Sequence, residues 1–329
     1  DGLLDSSKLF YIRKMIEAVA MIALAWYLVL HTNWYLTAAL IQGLAWQQLG
    51  WYLHECAHHQ VFKSHFYNDL LGYVAGPLLQ GFSSGAWKEQ HNIHHAATNV
   101  VGRDGDLDLL PFFSTVISDL KLCDHWVLKM VPYQHIYWTF VLPLLRLSWL
   151  NNSAAFIIGM PVNFYSFHRE RAVYEQTALT IHWSWVLLQL YCLPDFTTAL
   201  KFFLVSQLFS GWLTAHVVTY NHYSVEKFTY NSRILENFPC LQTFTTRNMN
   251  PSPFIDWLWG GLNYQIEHHL FPTMPRHNLS VVMPLVKDFC KKHDLPYMVD
   301  SYITGWWEGV QQFKNVALVA AKKKGAALF

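Results

Sequence analysis

Charge is what this chain has little of. Only 14% of its 329 residues are Asp, Glu, Lys or Arg, against roughly 25% in an ordinary soluble domain. The formal net charge is +1, which leaves no basic excess of the kind nucleic acid binding demands. Cysteine is also scarce: Cys56, Cys123, Cys192, Cys240 and Cys290 are odd in number and scattered, and no Cys-x-x-Cys occurs. That pattern supports neither a disulfide framework nor a thiolate zinc site, and it fits a reducing, cytosol-facing setting. There is no internal repeat, and the only biased segment is Lys322-Lys323-Lys324, read as a solvated end. No cleavable signal peptide is readable. The chain opens on Asp1 and its first apolar run starts late, so the expectation is a start partway through a longer polypeptide, or after processing.

What the chain has instead is apolar sequence, 53% hydrophobic and 16% aromatic. Ile16–Leu30 is apolar apart from Glu17 and ends at His31-Thr32-Asn33; Trp34–Leu53 follows, carrying Gln42, Gln47 and Gln48. Ala178–Leu193, a turn at Pro194-Asp195, and Phe196–Val218 repeat the arrangement. Each arm is near the ~20 residues that cross a bilayer. The expectation is therefore four spans in two hairpins, about 16–30, 34–53, 178–193 and 196–218, with the glutamines turned inward. The turns hold no Lys or Arg, whereas the outer flanks hold Lys8, Arg13, Lys14, Arg169, Arg171, Lys227 and Arg233. That bias puts the flanks in the cytosol, with Lys201 snorkelling as the exception. Leu70–Phe82, Ile136–Leu150 and 153–167 are broken by Gly, Pro or Arg, and read as interfacial helices, the last two alternatively as a further hairpin.

Histidine is the other excess. Eight of 18 histidines fall in three windows: His54-Glu55-Cys56-Ala57-His58-His59, His91-Asn92-Ile93-His94-His95 and Gln265-Ile266-Glu267-His268-His269. Positions i, i+3 and i+4 share a helix face, so each window aims two or three imidazoles at one point. Three such sets exceed what one four-coordinate zinc uses, which argues for two metals. On the span assignment every cluster lies at, or beyond, a cytosolic helix end.

Ligand type alone does not name the metal, since imidazole suits zinc, copper, iron and nickel. His54-Glu55-Cys56-Ala57-His58 also fits the zinc-protease pattern with Glu55 as general base, but that reading leaves the other clustered histidines without purpose. A metal transporter would want its ligands near the bilayer midplane, and these sit at span ends. A nitrogen-rich iron pair at a membrane surface suits oxygen chemistry on a lipid chain, where unactivated methylenes lie beyond acid–base catalysis.

His54-x-x-x-His58, His91-x-x-His94-His95 and Gln265-x-x-His268-His269 resemble the three histidine boxes of membrane fatty acid desaturases. Glutamine opening the third box is the mark of the front-end group, which inserts a double bond between an existing one and the carboxyl end. The run from Trp257 to Asn278 is the most specific match, and the likeness covers essentially the whole chain. Gln80-Gly81-Phe82-Ser83, His94–Asn99 and His216–His222 bring it nearest to nematode delta-5 enzymes, with delta-6 next.

The resemblance implies an all-α integral membrane enzyme of one domain over 1–329, with cytosolic cap segments 54–135 and 219–329. It implies metal ligation by His54, His58, His91, His94, His95, His222, His268 and His269, with Gln265 and Asn221 orienting ligands or acting through water. It further implies two irons (zinc as a possible substitute in vitro), cytochrome b5 and its reductase as electron source, and an acyl-CoA or phospholipid substrate. The place implied is the endoplasmic reticulum membrane, active site toward the cytosol. His-Pro-Gly-Gly, the haem motif of the fused cytochrome b5 domain usual in this group, does not occur in the sequence, so electrons are expected from a separate cytochrome b5 or a domain outside this chain. His59, His65, His216 and His277 fall outside the boxes and read as hydrogen-bonded or surface groups. Asp104, Asp106 and Asp108 read as turn and cap residues, with bonding to ligand imidazoles as a second role. Lys88, Arg103 and Arg247 read first as surface charge and second as contacts for a phosphate-bearing head group.

Overall fold

A computed structural model of the chain describes residues 2–121, 123–159 and 169–326, the side chains of 169–171 and 323–326 apart. The end of the 153–167 segment, with Pro161, lies outside the described residues, as do the side chains of Arg169 and Arg171. In chain order the helices are α1 Lys8–His31, α2 Tyr35–Ala57, α3 His65–Tyr73, α4 Ser84–Ala96, α5 His125–Met130, α6 Gln134–Val141 and α7 Leu145–Ile157. Then come α8 Arg169–Tyr191, α9 Phe196–His222, α10 Phe238–Thr245, α11 Pro253–Leu258, α12 Gln265–Leu270, α13 Arg276–Lys292 and α14 Tyr302–Ala326. Four two-residue strands complete the set: β1 Val100–Val101 pairs parallel with β2 Phe228–Thr229, and β3 Asn248–Met249 with β4 Val299–Asp300.

The protein is thus all-α, and the four apolar runs fall in its four longest continuous apolar helices before the cap, α1, α2, α8 and α9. Among the described residues, α1 and α9 alone are both long and apolar enough to cross a membrane. Four helices are present where four spans are expected, but α2 is diluted by glutamines and α8 opens on a charged turn. The glutamines do look inward: Gln42, Gln47 and Gln48 are all buried. Gln47 donates to Leu258 O at 2.6 Å and Gln48 to Gln47 Oε1 at 2.8 Å, which answers two of the three donors that an apolar setting would orphan, while Gln42 Nε2 has no partner among the described residues. The Leu70–Phe82 segment is α3 running into a π-helical stretch, Val74–Gln80, that contains Pro77. Proline there removes a backbone donor, and the wider turn accommodates it.

α2 and α9 run side by side in the same direction. A Cβ on Gly43 would come 2.7 Å from Ser206 O, so only glycine permits this approach of the two backbones. Leu28, Val29, Ala38, Ala39, Leu193 and Phe202 close the end where both hairpins turn. At the other end α2 delivers His54 and His58, and α9 delivers His222. Sequence spacing therefore fixes helix length, helix length fixes which residues emerge at that end, and the emerging residues are the imidazoles.

The remaining segments cap this end. Ser83 starts α4, accepting from Ala86 N, and its hydroxyl is held by Glu175 of α8. Asn237 starts α10 by accepting from Cys240 N at 3.1 Å. Gly260 sits at φ +61°, and a Cβ there would lie 2.4 Å from Trp51 Cγ. That turn lets the loop before α12 lie flat on α2.

Candidate metal centre

Three helix ends and one mid-cap helix bring the boxes together. α2 supplies His54 and His58, α4 supplies His91, His94 and His95, α9 supplies His222, and α12 supplies His268 and His269. Their ring nitrogens fall into two sets, each with its members within 4.8 Å of one another: His54, His58, His91, His95 and His268 in one, and His94, His222 and His269 in the other. Successive helical residues point ~100° apart. His94 and His95 therefore part company, as do His268 and His269, one of each pair to each set. The sets are neighbours, with the His95 and His269 rings stacked at 4.1 Å.

Seven of the eight imidazoles are buried, His91 is half-buried with its Nε2 3.0 Å from His95 Nε2, and several ring nitrogens are unanswered, which is the arrangement a metal requires. His54 Nε2, His58 Nε2, His95 Nδ1, His268 Nε2 and His269 Nε2 have no hydrogen-bond partner, and leaving so many polar atoms orphaned together is costly unless something binds them. In the set of three, the other ring nitrogen is fixed in each case. His94 Nδ1 lies 2.9 Å from Asp104 Oδ2, His222 Nδ1 donates to Thr245 O at 3.0 Å, and His269 Nδ1 donates to Gln242 Oε1 at 2.8 Å. Each bond selects the tautomer whose Nε2 lone pair faces the centre.

Burial sets the charge state of the larger set. It pushes His58 down to about 3, with His59, His94 and Lys88 adding to the shift, and it holds His91, His95 and His268 well below the usual value. Neutral imidazole is the ligand form. His94 goes the other way. Burial opposes its charge, but the carboxylates of Asp104 and Asp106 outweigh burial and raise it to about 9.

Gln265 and Asn221 form a chain rather than a ligand pair. Asn221 Nδ2 donates to Gln265 Oε1 at 2.9 Å, and Gln265 Nε2 lies 2.9 Å from His222 Nε2. The amide nitrogen, not the oxygen, therefore faces the smaller set.

The other nominated residues scatter. His59 stacks on His65 at 3.9 Å and accepts from Lys88 at 2.7 Å. His216 bonds its own helix at Trp212 O and stacks on Trp306, and His277 accepts from Ser7 N. Asp104 fills both roles open to it, capping a 3₁₀ turn at Asp106 N and holding His94. Arg247 is no surface charge: it is buried between Asp300 and Glu308. Lys88 pairs with Asp69 at 2.8 Å, so of the three cations only Arg103 stands free in solvent.

Sequence reasoning missed Gln242, Thr98 and Trp87. Gln242 Nε2 donates to His95 O while its oxygen accepts from Thr98 and His269, so one amide orients two boxes. Trp87 stacks on His91 at 4.2 Å. Its position four residues before His91 was the available signal, whereas Gln242 lies in a short helix with no motif.

A cavity of about 580 Å³ reaches both sets. His54 and His91 line it from one, His94 and His222 from the other, and Leu53, Phe82, Leu145, Trp149, Val218 and Leu262 make its walls apolar. Its exposed rim is Asp108, Asn151, Ala154 and Ile158. No Lys or Arg lines it among the described residues, so the second reading of Lys88, Arg103 and Arg247, as head-group contacts, finds no support in this cavity.

A membrane-associated helical protein with two histidine metal clusters opening on an apolar cavity is built to oxidise a lipid chain, and its relatives agree. The fatty acid desaturase family profile matches residues 15–301. The chain is 61% identical to the Delta(5) fatty acid desaturase fat-4 of Caenorhabditis elegans over 324 residues, 98% of this chain and 72% of the relative. It is 48% identical to the Delta(6)-fatty-acid desaturase fat-3 of the same organism, over 96% of this chain and 72% of that one. Against the Delta(8)-fatty-acid desaturase of Euglena gracilis the figures are 37%, 90% and 71%. The chain belongs to the fatty acid desaturase family. Within it, this is a front-end oxidoreductase of the delta-5/delta-6 type, with histidine clusters suited to a di-iron site.

Proposed function

We propose that the protein is a delta-5 desaturase acting on polyunsaturated acyl chains of 18 to 20 carbons, with delta-6 placement as the alternative. The 61% identity to a protein named for delta-5 activity, against 48% to one named for delta-6, carries the choice. The net reaction takes an acyl –CH₂–CH₂– segment, dioxygen, two electrons and two protons to a cis –CH=CH– and two waters. We assign one iron to His54, His58, His91, His95 and His268, and the second to His94, His222 and His269. Bound there, the irons supply the oxidising power toward dioxygen that no side chain has.

The chain's own residues do the rest. Asp104, Thr245 and Gln242 hold three imidazoles in their metal-facing tautomer. Leu53, Phe82 and Trp149 exclude water and fix the methylene pair, where small misplacements are expensive. Gln265, tied back by Asn221, positions His222 and a water rather than offering a donor oxygen. Cytochrome b5 and its reductase supply the electrons, and four spans (α1, α2, α8 and α9) hold the enzyme in the endoplasmic reticulum with the cap toward the cytosol.

Expression in yeast fed with 18-, 20- and 22-carbon polyunsaturated acids tests this. The new bond is expected at carbon 5 whatever the chain length. A bond that keeps its distance from the methyl end, or no new bond, overturns the reading.

A further inference from the structure

Arg146 is a buried cation without a counter-ion. Its side chain is 2% exposed, and no carboxylate among the described residues pairs with it. It lies between Trp46 and Phe82, 4.4 and 4.8 Å from the ring centroids. Arg146 Nε donates to Gln207 Oε1 and Nη2 to Gln80 O, both at 2.6 Å, while Nη1 has no partner. An unpaired guanidinium this deep carries a large desolvation penalty, so a role beyond packing is called for.

What it clamps is Gln80. That residue is 2% exposed to solvent and lines the cavity, yet its Oε1 is buried without a partner and its Nε2 donates to none of the described residues. Nε2 lies where Gly50 leaves room, since a Cβ there would be 2.9 Å away. Gly50 comes one turn, ~6 Å, before His54 on α2, so this inner end of the cavity lies on the span side of the histidines. Phe82, Trp149 and Thr214 line the same cavity.

An unanswered amide N–H on a residue whose backbone carbonyl holds a buried guanidinium makes this inner end electropositive. A methylene tail offers it nothing, and burying the unanswered amide against such a tail is unfavourable. A cis double bond offers π electrons, which N–H donors and cations both attract. We propose that Gln80, held in place by Arg146, selects acyl chains that already carry a double bond on the methyl side of the reacting carbons. Gln80 is the specificity residue; Arg146 is a positioning residue. The proposal rests on the desaturase reading above and adds how the enzyme recognises prior unsaturation.

The test compares conversion of two 20-carbon feeds in yeast, the cis-8,11,14 triene and the saturated acid. Gln80→Met keeps the volume and removes the N–H. It is expected to lower the triene-to-saturated conversion ratio about fivefold, the scale of one weak hydrogen bond, with membrane abundance and iron content unchanged. Gly50→Ala, which pushes the amide aside, is expected to move the ratio the same way and covers the case in which Gln80→Met fails to accumulate. A ratio that stays at the wild-type value in either accumulating variant, whether total conversion is kept or falls equally for both feeds, overturns the proposal. Mass spectrometry of the same samples locates the new bond, so a wrong bond position counts against the delta-5 reading and leaves the tail preference to be judged on its own.

Discussion

The carboxylate of Glu55 lies 2.8 Å from the Arg276 guanidinium, and both side chains are buried. Glu55 follows His54 directly in α2, so it points ~100° away from the metal cluster. The zinc-protease pattern in this stretch needs its glutamate on the metal side, as a base for bound water. Here the carboxylate ties the end of α2 to the start of α13 instead.

Removing one partner of that ion pair is therefore expected to cost stability rather than chemistry. Arg276→Met should lower protein stability by about 3–5 kcal/mol, because it strands a buried carboxylate. Adding Glu55→Gln to it should recover most of the loss. Thermal unfolding of the detergent-solubilised protein reads both, and a double variant no better than the single one would show that the pair is not the cause.

Iron-supplied protein is expected to carry about two metal ions per chain, given two nitrogen sets of five and three. His58→Ala and His222→Ala should each lower that content toward one. Metal analysis of the purified variants decides it, and a single tightly bound zinc with peptide cleavage would contradict the assignment. The purified chain is also expected to show no Soret band, and to turn over only when cytochrome b5 and its reductase are added.

The two sets should load with different pH dependence. With no metal bound, His94 is raised to about 9 and is protonated at neutral pH, whereas His58 is lowered to about 3 and is neutral there. Metal displaces the proton from His94, so occupancy of the smaller set should weaken as pH falls from 9, by up to tenfold per unit. The larger set, whose imidazoles burial keeps neutral, should show no such loss over the same range. The sign for apo stability is the reverse. A raised histidine pKa stabilises the fold below about 6.5, and that contribution fades as pH rises through 9. Metal titrations at pH 6, 7 and 8 check the first claim.

Substituting Asp104 should separate orientation from ligation. Asp104→Asn keeps the turn cap but weakens the hold on His94 Nδ1, and a 10- to 100-fold loss of metal affinity in the smaller set is the usual scale. The set of five should be unaffected, which competition with a chelator can read.

The boxes were legible in the sequence because helical spacing converts i, i+3 and i+4 into direction, and the apolar runs were legible because length and purity fix where helices end. The split of His94 from His95 follows from the same geometry, yet it cannot be assigned until α9 and α12 are seen to bring His222 and His269 to His94. Gln242 was not legible. Its function depends on a fold-level encounter with Thr98 and His269, and no local pattern marks it. Arg247 misled for a related reason: its partners Asp300 and Glu308 lie more than 50 residues away, so its burial has no local signature. The spans were legible only in part: α1 and α9 are long and apolar enough to cross a membrane among the described residues, whereas α2 carries three inward-facing glutamines that dilute its apolar run.

The amide of Gln242 touches the backbone of one box and a ring of another, and so it belongs to both halves of the site at once. Losing this one side chain would free the His95 carbonyl and the His269 ring together, so both halves of the site depend on a residue that offers no metal ligand of its own.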